Sequence, residues 1–297
     1  MPAAPATIGP VGVIGLGLVG RALAARALAA GIPVQGCDPD PAARDAAAAL
    51  GVGIVADVAA LARAAPILVV CVFDDQQFAA VSDAVTDVVA VADGPAVSLV
   101  VNTATCSPSV IDWAVRRLDA RGIAFIEMPL SGSSAQIRDG RALALVGAQD
   151  AVFARWESLL AVLGPTALRV GPPGAAARAK LASNLILGLN RAALAEGLAL
   201  AEALGLDGHR FLELLRRSPA YSRAVDSVGD RMVARDFRPQ SRLAQHRKDL
   251  ALILAEGAAC AQPLPLASAH AELLDRAIGL GLGDRDNAAV FAALRPH

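Results

Sequence analysis

Lys180 and Asn184 stand four residues apart in a long, mostly aliphatic stretch from Ala175 to Leu204. On a helix that spacing puts both side chains on one face. An apolar helix gives an ammonium group little access to water, and an unpaired buried cation is costly. Lys180 is therefore read as a working group rather than a solubilising charge. Desolvation and nearby positive charge lower a lysine pKa from about 10.4 towards neutrality. There it can exchange a proton with an alcohol or carbonyl oxygen. Asn184, one turn on, can orient the reacting hydroxyl or the lysine itself.

A second constellation sits near the start of the chain. Gly15-Leu16-Gly17-Leu18-Val19-Gly20 follows a strand-like run and opens a helix-prone segment from Arg21 to Ala30, the context a dinucleotide-binding turn requires. The three glycines serve different physical ends. Gly15 makes the tight turn, Gly17 lets a pyrophosphate approach the backbone, and Gly20 lets the helix pack on the strand. The helix N-terminus offers free amides and a positive dipole end to phosphates. Asp38, 18 residues beyond Gly20, is placed to accept from the adenosine ribose hydroxyls and to repel a 2′-phosphate, which favours NAD over NADP. Val72 ends another apolar run with Phe73 just beyond it, and Asn102 to Thr105 follow the run ending at Val101, so both segments can line the nicotinamide half. Asp74, Asp75 and Ser107 are read more plainly, as loop and helix-capping residues.

Apolar runs at 11–16, 33–37, 67–72, 97–101, 124–127, 142–146 and 167–170 alternate with alanine- and leucine-rich helical segments. Repeated βα units of this kind predict a doubly wound parallel sheet, the α/β Rossmann fold. Gly171-Pro172-Pro173-Gly174 concentrates breaker residues, and no convincing strand follows it. The expected domains are a Rossmann NAD-binding domain over 1–171 and an all-α substrate and dimerisation domain over 172–297. The helix from about Ala175 to Leu204 is apolar almost all round, which predicts protein contacts on every side. Gly205 should end it and Asp207 cap the next.

Composition excludes several other function classes. Lys+Arg 27 against Asp+Glu 28 gives a net charge of -1, so there is no basic field for nucleic acid or an anionic membrane. Asn184, Asn190, Arg191, Glu196 and Glu202 interrupt the most apolar stretch, which argues against a membrane span. Cys37, Cys71, Cys106 and Cys260 form no CxxC pair or Cys/His cluster, so no metal site is expected and all four are read as reduced packing residues. Met1 to Gly9 lacks the basic region of a secretory signal, which predicts a cytoplasmic protein.

Over its full length the chain resembles the 3-hydroxyisobutyrate dehydrogenase, or β-hydroxyacid dehydrogenase, family. The glycine motif at 15–20 is similar to that family's cofactor fingerprint. Pro129-Leu130-Ser131-Gly132, with Gly140 and Val146-Gly147 beyond it, is similar to its substrate-binding signature. Gly174, Lys180 and Asn184 resemble its catalytic pattern, and Lys248-Asp249-Leu250 its late KDL segment. The resemblance implies Lys180 as proton donor or acceptor with Asn184 beside it, a carboxylate grip at Ser131, Gly132 and Ser133, Lys248 near the nicotinamide end, and Thr105 from a Ser-Thr pair whose serine is here Ala104. It implies oxidation of a small 3-hydroxy or polyhydroxy acid; the apolar helix at 175–204 predicts association, as a homodimer or homotetramer. The segments 236–241, 263–268 and 283–286 are most similar to the branch containing L-threonate and related sugar-acid dehydrogenases. Ser133, Gln136, Arg141, Ala244 and His246 depart from the family pattern beside the substrate; His246 is read as a helix-face residue. Arg223, Arg231, Arg235, Arg238, Arg242 and Arg247 are read mainly as solvated faces and subunit salt bridges. An imine or ketone reductase of the same fold and a non-catalytic NAD-binding sensor or scaffold are the alternatives; imine reductases usually carry Asp or Tyr at the position of Lys180.

Overall fold

The computed structural model describes residues 8–91 and 97–294; the first seven residues of the stretch inspected for a secretory signal lie outside them. The chain forms two compact units, Met1–Lys180 and Leu181–His297.

Strands β1 (Val11–Ile14), β2 (Val34–Cys37), β3 (Gly53–Ile54), β4 (Ile67–Val70), β5 (Leu99–Asn102), β6 (Ala124–Glu127), β7 (Leu130–Ser131), β8 (Leu143–Gly147) and β9 (Thr166–Gly171) build one sheet in the first unit. Its order begins β3-β2-β1-β4-β5-β6, all parallel, the arrangement of a dinucleotide-binding doubly wound sheet. Beyond β6 the direction reverses: β8 runs antiparallel to β6 and β7 and parallel to β9. The apolar runs mark the other seven strands, whereas β3 and β7 are two-residue pairings too short to show a period.

Helices α1 (Leu18–Ala29), α2 (Pro41–Ala48), α3 (Val58–Ala64), α4 (Asp75–Val91), α5 (Pro108–Asp119), α6 (Ser134–Arg138) and α7 (Asp150–Leu163) connect these strands. They create two cores. Leu23, Ala27, Leu159 and Leu163 pack with Val13, Val69 and Val101 on one face, and Phe78, Val85, Ile111 and Leu118 pack with Leu68, Val70 and Val100 on the other. Alternate strand residues feed opposite cores, which is why these strands read as continuously apolar. Asp40, Asp57 and Ser107 cap α2, α3 and α5, accepting from Ala42, Ala60 and Val110.

Helix α8 (Ala175–Ala203) starts in the first unit and continues into the second, which adds α9 (Gly208–Arg216), α10 (Asp230–Val233), α11 (Leu243–Ala259) and α12 (Pro265–Gly279). A π-helical turn, Val225–Gly229, precedes α10, and a 3-10 segment, Asn287–Leu294, closes the described chain. The core of the second unit gathers Leu198, Leu212, Met232, Leu250, Leu274 and Phe291. Gly205, at φ +79, ends α8, and Asp207 caps α9 by accepting from Arg210. Among the described residues no strand follows Gly171 and no helix is long and apolar enough to cross a membrane.

On α8, Ile186 and Leu200 are about 60% exposed within one chain. One expectation needs correction. Cys260 is an exposed C-cap of α11 rather than a packing residue.

Candidate active site

The glycine turn is built as the stereochemistry of its residues requires. Gly15 adopts φ +89, and a Cβ there would lie 2.4 Å from the Cys71 carbonyl oxygen on the neighbouring loop. At Gly20 a Cβ would come 1.8 Å from the Gly15 carbonyl oxygen, so α1 can meet β1 only through a glycine. Gly17 differs: a Cβ there would meet nothing within 4 Å. It caps α1 with no side-chain hydrogen bond, and no acidic residue occupies the first turn. The amides of Leu18, Val19 and Gly20 thus begin a helix without the carboxylate or hydroxyl caps of α2, α3 and α5, beside open space at Gly17. That arrangement fits a pyrophosphate.

Asp38 follows β2. One carboxylate oxygen accepts the Leu16 amide at 2.7 Å and the other the Asp40 amide at 2.8 Å. It therefore ties the end of β2 to the glycine turn. Arg44 is spent on the Asp38 and Pro39 carbonyls.

The neighbouring strand ends carry their own turn chemistry. Phe73 is 40% exposed just past β4, and its amide donates to Gln77. Asp74 accepts the Gln77 amide, and Asp75 accepts the Ser107 amide at 3.0 Å, so both have structural work. Asn102 accepts the Ala104 amide and shapes the loop that presents Thr105. A surface depression of about 420 Å³ lined by Arg26, Arg138 and Val162 lies along the last turns of α1, the end away from the glycine turn.

Past β6, Ser131 ends β7 and Gly132 turns at φ +155, where a Cβ would press on Ala142. Ser133 and Gln136, two of the departures from the family pattern, satisfy each other. The Ser133 hydroxyl accepts the Gln136 amide at 3.3 Å, and the Gln136 side chain accepts the Ser133 amide at 2.8 Å. This reciprocal box caps α6. Arg141 pairs with Asp139.

Glu127, at the end of β6, is 1% exposed. Its carboxylate accepts the Ala176 amide at 2.6 Å and the Ala177 amide at 3.3 Å, in the first turn of α8. Burial pushes its pKa up from 4.5 to about 7 against the lowering effect of these amides. On the same helix Lys180 and Asn184 are each 5% exposed, one turn apart.

In the second unit the Asn184 side-chain amide donates to Asp249 at 3.0 Å. Lys248 Nζ approaches the other Asp249 oxygen to 2.8 Å, an ion pair that lacks the alignment of a hydrogen bond. His246 lies on the buried face of α11, and its Nε2 is 3.1 Å from Nε2 of His270 on α12. The arginines before and around Lys248 pair within the chain: Arg231 with Asp286, Arg235 with Glu202, Arg238 with Asp236 and Arg247 with Asp275. Ala244 lies in the first turn of α11, where its amide donates to the Gly283 carbonyl. Glu127, Asp249 as the partner of Asn184, and His270 are the residues that sequence reasoning missed. Among the described residues no group of three or more His, Cys, Asp and Glu side chains could hold a metal ion.

Comparison with known proteins agrees with this fold. Residues 10–171 match the model of the NAD binding domain of 6-phosphogluconate dehydrogenase, and residues 174–294 that of the NAD-binding region of NADP-dependent 3-hydroxyisobutyrate dehydrogenase. The chain is similar to 2-hydroxy-3-oxopropionate reductase of Escherichia coli (strain K12), 32% identical over 195 residues, which are 66% of this chain and 67% of that protein. A solved 3-hydroxyisobutyrate dehydrogenase from Salmonella typhimurium superposes with a TM-score of 0.84 at 26% identity, covering 96% of this chain and 99% of that one. An imine reductase from Pseudomonas sp. shares the fold alone, at 21% identity and a TM-score of 0.61 over 97% of this chain and 100% of that one.

Proposed function

Since the chain belongs to the 3-hydroxyisobutyrate dehydrogenase (β-hydroxyacid dehydrogenase) family of NAD(P)-dependent oxidoreductases, we propose that it oxidises a small 3-hydroxy or polyhydroxy carboxylic acid to an oxo acid or semialdehyde, with Lys180 as general acid/base. The observation that carries this reading is the burial of Lys180 and Asn184 one turn apart on α8. Two polar side chains withdrawn from water at helical spacing give a fixed proton-transfer group and a fixed hydrogen-bonding partner for the same oxygen.

The bound dinucleotide supplies the hydride acceptor. The amides at Leu18, Val19 and Gly20 and the space at Gly17 hold its pyrophosphate, and Asp38 accepts from the ribose hydroxyls, so NAD is preferred over NADP. Val72, Phe73, Thr105 and Lys248 line the nicotinamide half. Ser131 and Gly132 grip the substrate carboxylate, with Ser133 as the cap that holds the turn. Asn184 orients the hydroxyl, and Lys180 takes its proton as the carbonyl forms. Residues 1–171 act as the NAD-binding domain and 172–297 as the substrate and dimerisation domain. A sugar acid of the L-threonate type is the preferred substrate, on the similarity of the segments at 236–241, 263–268 and 283–286. The chain works as a homodimer or homotetramer, supported by the exposed apolar residues Ile186, Leu200 and Leu204 along α8 and just past its end.

The test is NAD reduction across 3-hydroxyisobutyrate, glycerate, threonate and tartronate-type acids. A Lys180→Ala protein should keep its dinucleotide affinity and lose about 10³-fold or more in turnover. Near-normal turnover would remove Lys180 from the mechanism. Turnover of cyclic imines with NADPH would favour an imine reductase instead, and bound NAD with no turnover on any acid would favour a sensor.

A further inference from the structure

Three helices of the second unit meet at one small polar cluster that the proposed chemistry does not use. His246 on α11 and His270 on α12 are 6% and 4% exposed, and their Nε2 atoms face each other at 3.1 Å. Helix α8 passes directly against them at Gly188. A Cβ there would fall 2.4 Å from His246 Nε2 and 3.2 Å from His270 Nε2. Only a glycine lets the imidazole pair lie against that helix.

The pair works only when it shares a single proton. Two imidazoles joined through Nε2 need one N–H donor and one lone pair, so two Nε2–H groups would clash. His270 Nδ1 is buried and finds no hydrogen-bond partner among the described residues. A bare lone pair there costs less than an orphaned N–H. This assigns the Nε2–H tautomer to His270, with His246 Nε2 accepting. Burial, with the charge of Arg191 on α8 adding to it, holds the His270 pKa down to about 4. On α11 and α12, Arg247 pairs with Asp275 at 2.7 Å and Lys248 with Asp249 at 2.8 Å.

These contacts form the second of two rungs between the same helices. Asn184 and Gly188 are one turn apart on α8, and His246 and Asp249 are about one turn apart on the buried face of α11. The first rung is the Asn184–Asp249 hydrogen bond. The second is the His246 ring seated on Gly188 and held there by His270. We propose that His270 is a positioning residue, which fixes α11 on α8 through His246 and thereby sets the orientation of the Asn184 amide and of Asp249 with its neighbour Lys248. The inference rests on the functional reading only in what it says about turnover; the orientation of Asn184 can be read without any substrate.

The experiment compares His270→Leu, which keeps volume but cannot donate, with His270→Gln, which can. With asparagine side chains labelled with ¹⁵N, the Asn184 amide signal in the leucine variant should move towards that of a solvent-exposed asparagine, and in the glutamine variant it should return to the wild-type position. On an acid that the wild type oxidises, kcat should fall about tenfold in His270→Leu, recover to within about threefold in His270→Gln, and leave dinucleotide Kd unchanged in both. Should the leucine variant fail to fold, Gly188→Ala, which pushes on the pair from α8, should produce the same signal shift. An unmoved Asn184 signal in the folded variants, or equal loss in the leucine and glutamine variants, overturns the inference. If no acid is turned over at all, the functional reading fails while the Asn184 signal still decides this one.

Discussion

The Glu127 carboxylate accepts the backbone amide of Ala176 at 2.6 Å, one helical turn before Lys180. A side chain at the end of a strand thus fixes the first turn of the helix that carries the proposed acid/base, and it does so from a fully buried position. A carboxyl pKa raised to about 7 means that the folded protein holds this proton more tightly than the unfolded chain does. Stability from this group is therefore fully present below about pH 4.5 and is lost as pH rises to about 7. At 1.4 kcal/mol per pH unit the loss is roughly 3 kcal/mol. Urea unfolding of wild type and Glu127→Gln between pH 4.5 and 8 should show that extra decline in the wild type alone. Parallel pH profiles would rule out a buried titration at Glu127.

The glycine turn separates a folding glycine from a binding one. Gly17→Ala keeps an allowed backbone, at φ -66, and puts a methyl group into open space. It should unfold like the wild type and weaken dinucleotide binding about tenfold or more. Gly20→Ala drives a Cβ onto the Gly15 carbonyl and should destabilise by about 1–3 kcal/mol before any ligand is added. Thermal unfolding and NADH fluorescence titration of the two variants check the contrast. Equal NADH affinity in Gly17→Ala and the wild type would displace the pyrophosphate from this turn.

Asp38 combines two roles that one substitution can part. Asp38→Asn keeps an acceptor for the Leu16 amide, loses the one for the Asp40 amide, and removes the charge that repels a 2′-phosphate. The ratio of NADPH to NADH dissociation constants should fall about tenfold, with a loss of about 1 kcal/mol in stability from the unpaired Asp40 amide. An unchanged ratio would mean that another group reads the ribose.

What could be read in advance followed the range of the forces involved. The tight turn at Gly15 and the close helix packing at Gly20 were legible because a turn and its helix are set by neighbouring residues. The caps at Ser107 and Asp207 were legible for the same reason. Burial of Lys180 followed from the apolar helix around it. Glu127 was not singled out, because its partner lies 49 residues along the chain and nothing local marks a carboxylate that will cap a distant helix. His270 gave no signal on an alanine-rich helix, since its meaning depends on His246 and Gly188 from two other elements. The two-residue strands β3 and β7 exist only through their neighbours' hydrogen bonds.

Ser131 and Ser133 sit two residues apart in the segment proposed for the substrate carboxylate, and Ser133 already has structural work. The Ser133 hydroxyl is engaged by the Gln136 amide in the cap of α6. Removing it leaves that amide without its acceptor, a loss of about 1 kcal/mol. Ser133→Ala should therefore lower stability by about that amount and change the KM for the acid by less than about twofold. Ser131 ends β7 just before the Gly132 turn, and Ser131→Ala should leave unfolding unchanged while raising KM about tenfold, the cost of one hydrogen bond to a charged group. Steady-state kinetics paired with urea unfolding of each variant decides the assignment. If Ser133→Ala raises KM as much as Ser131→Ala does, Ser133 must leave its cap and turn towards the carboxylate when substrate binds.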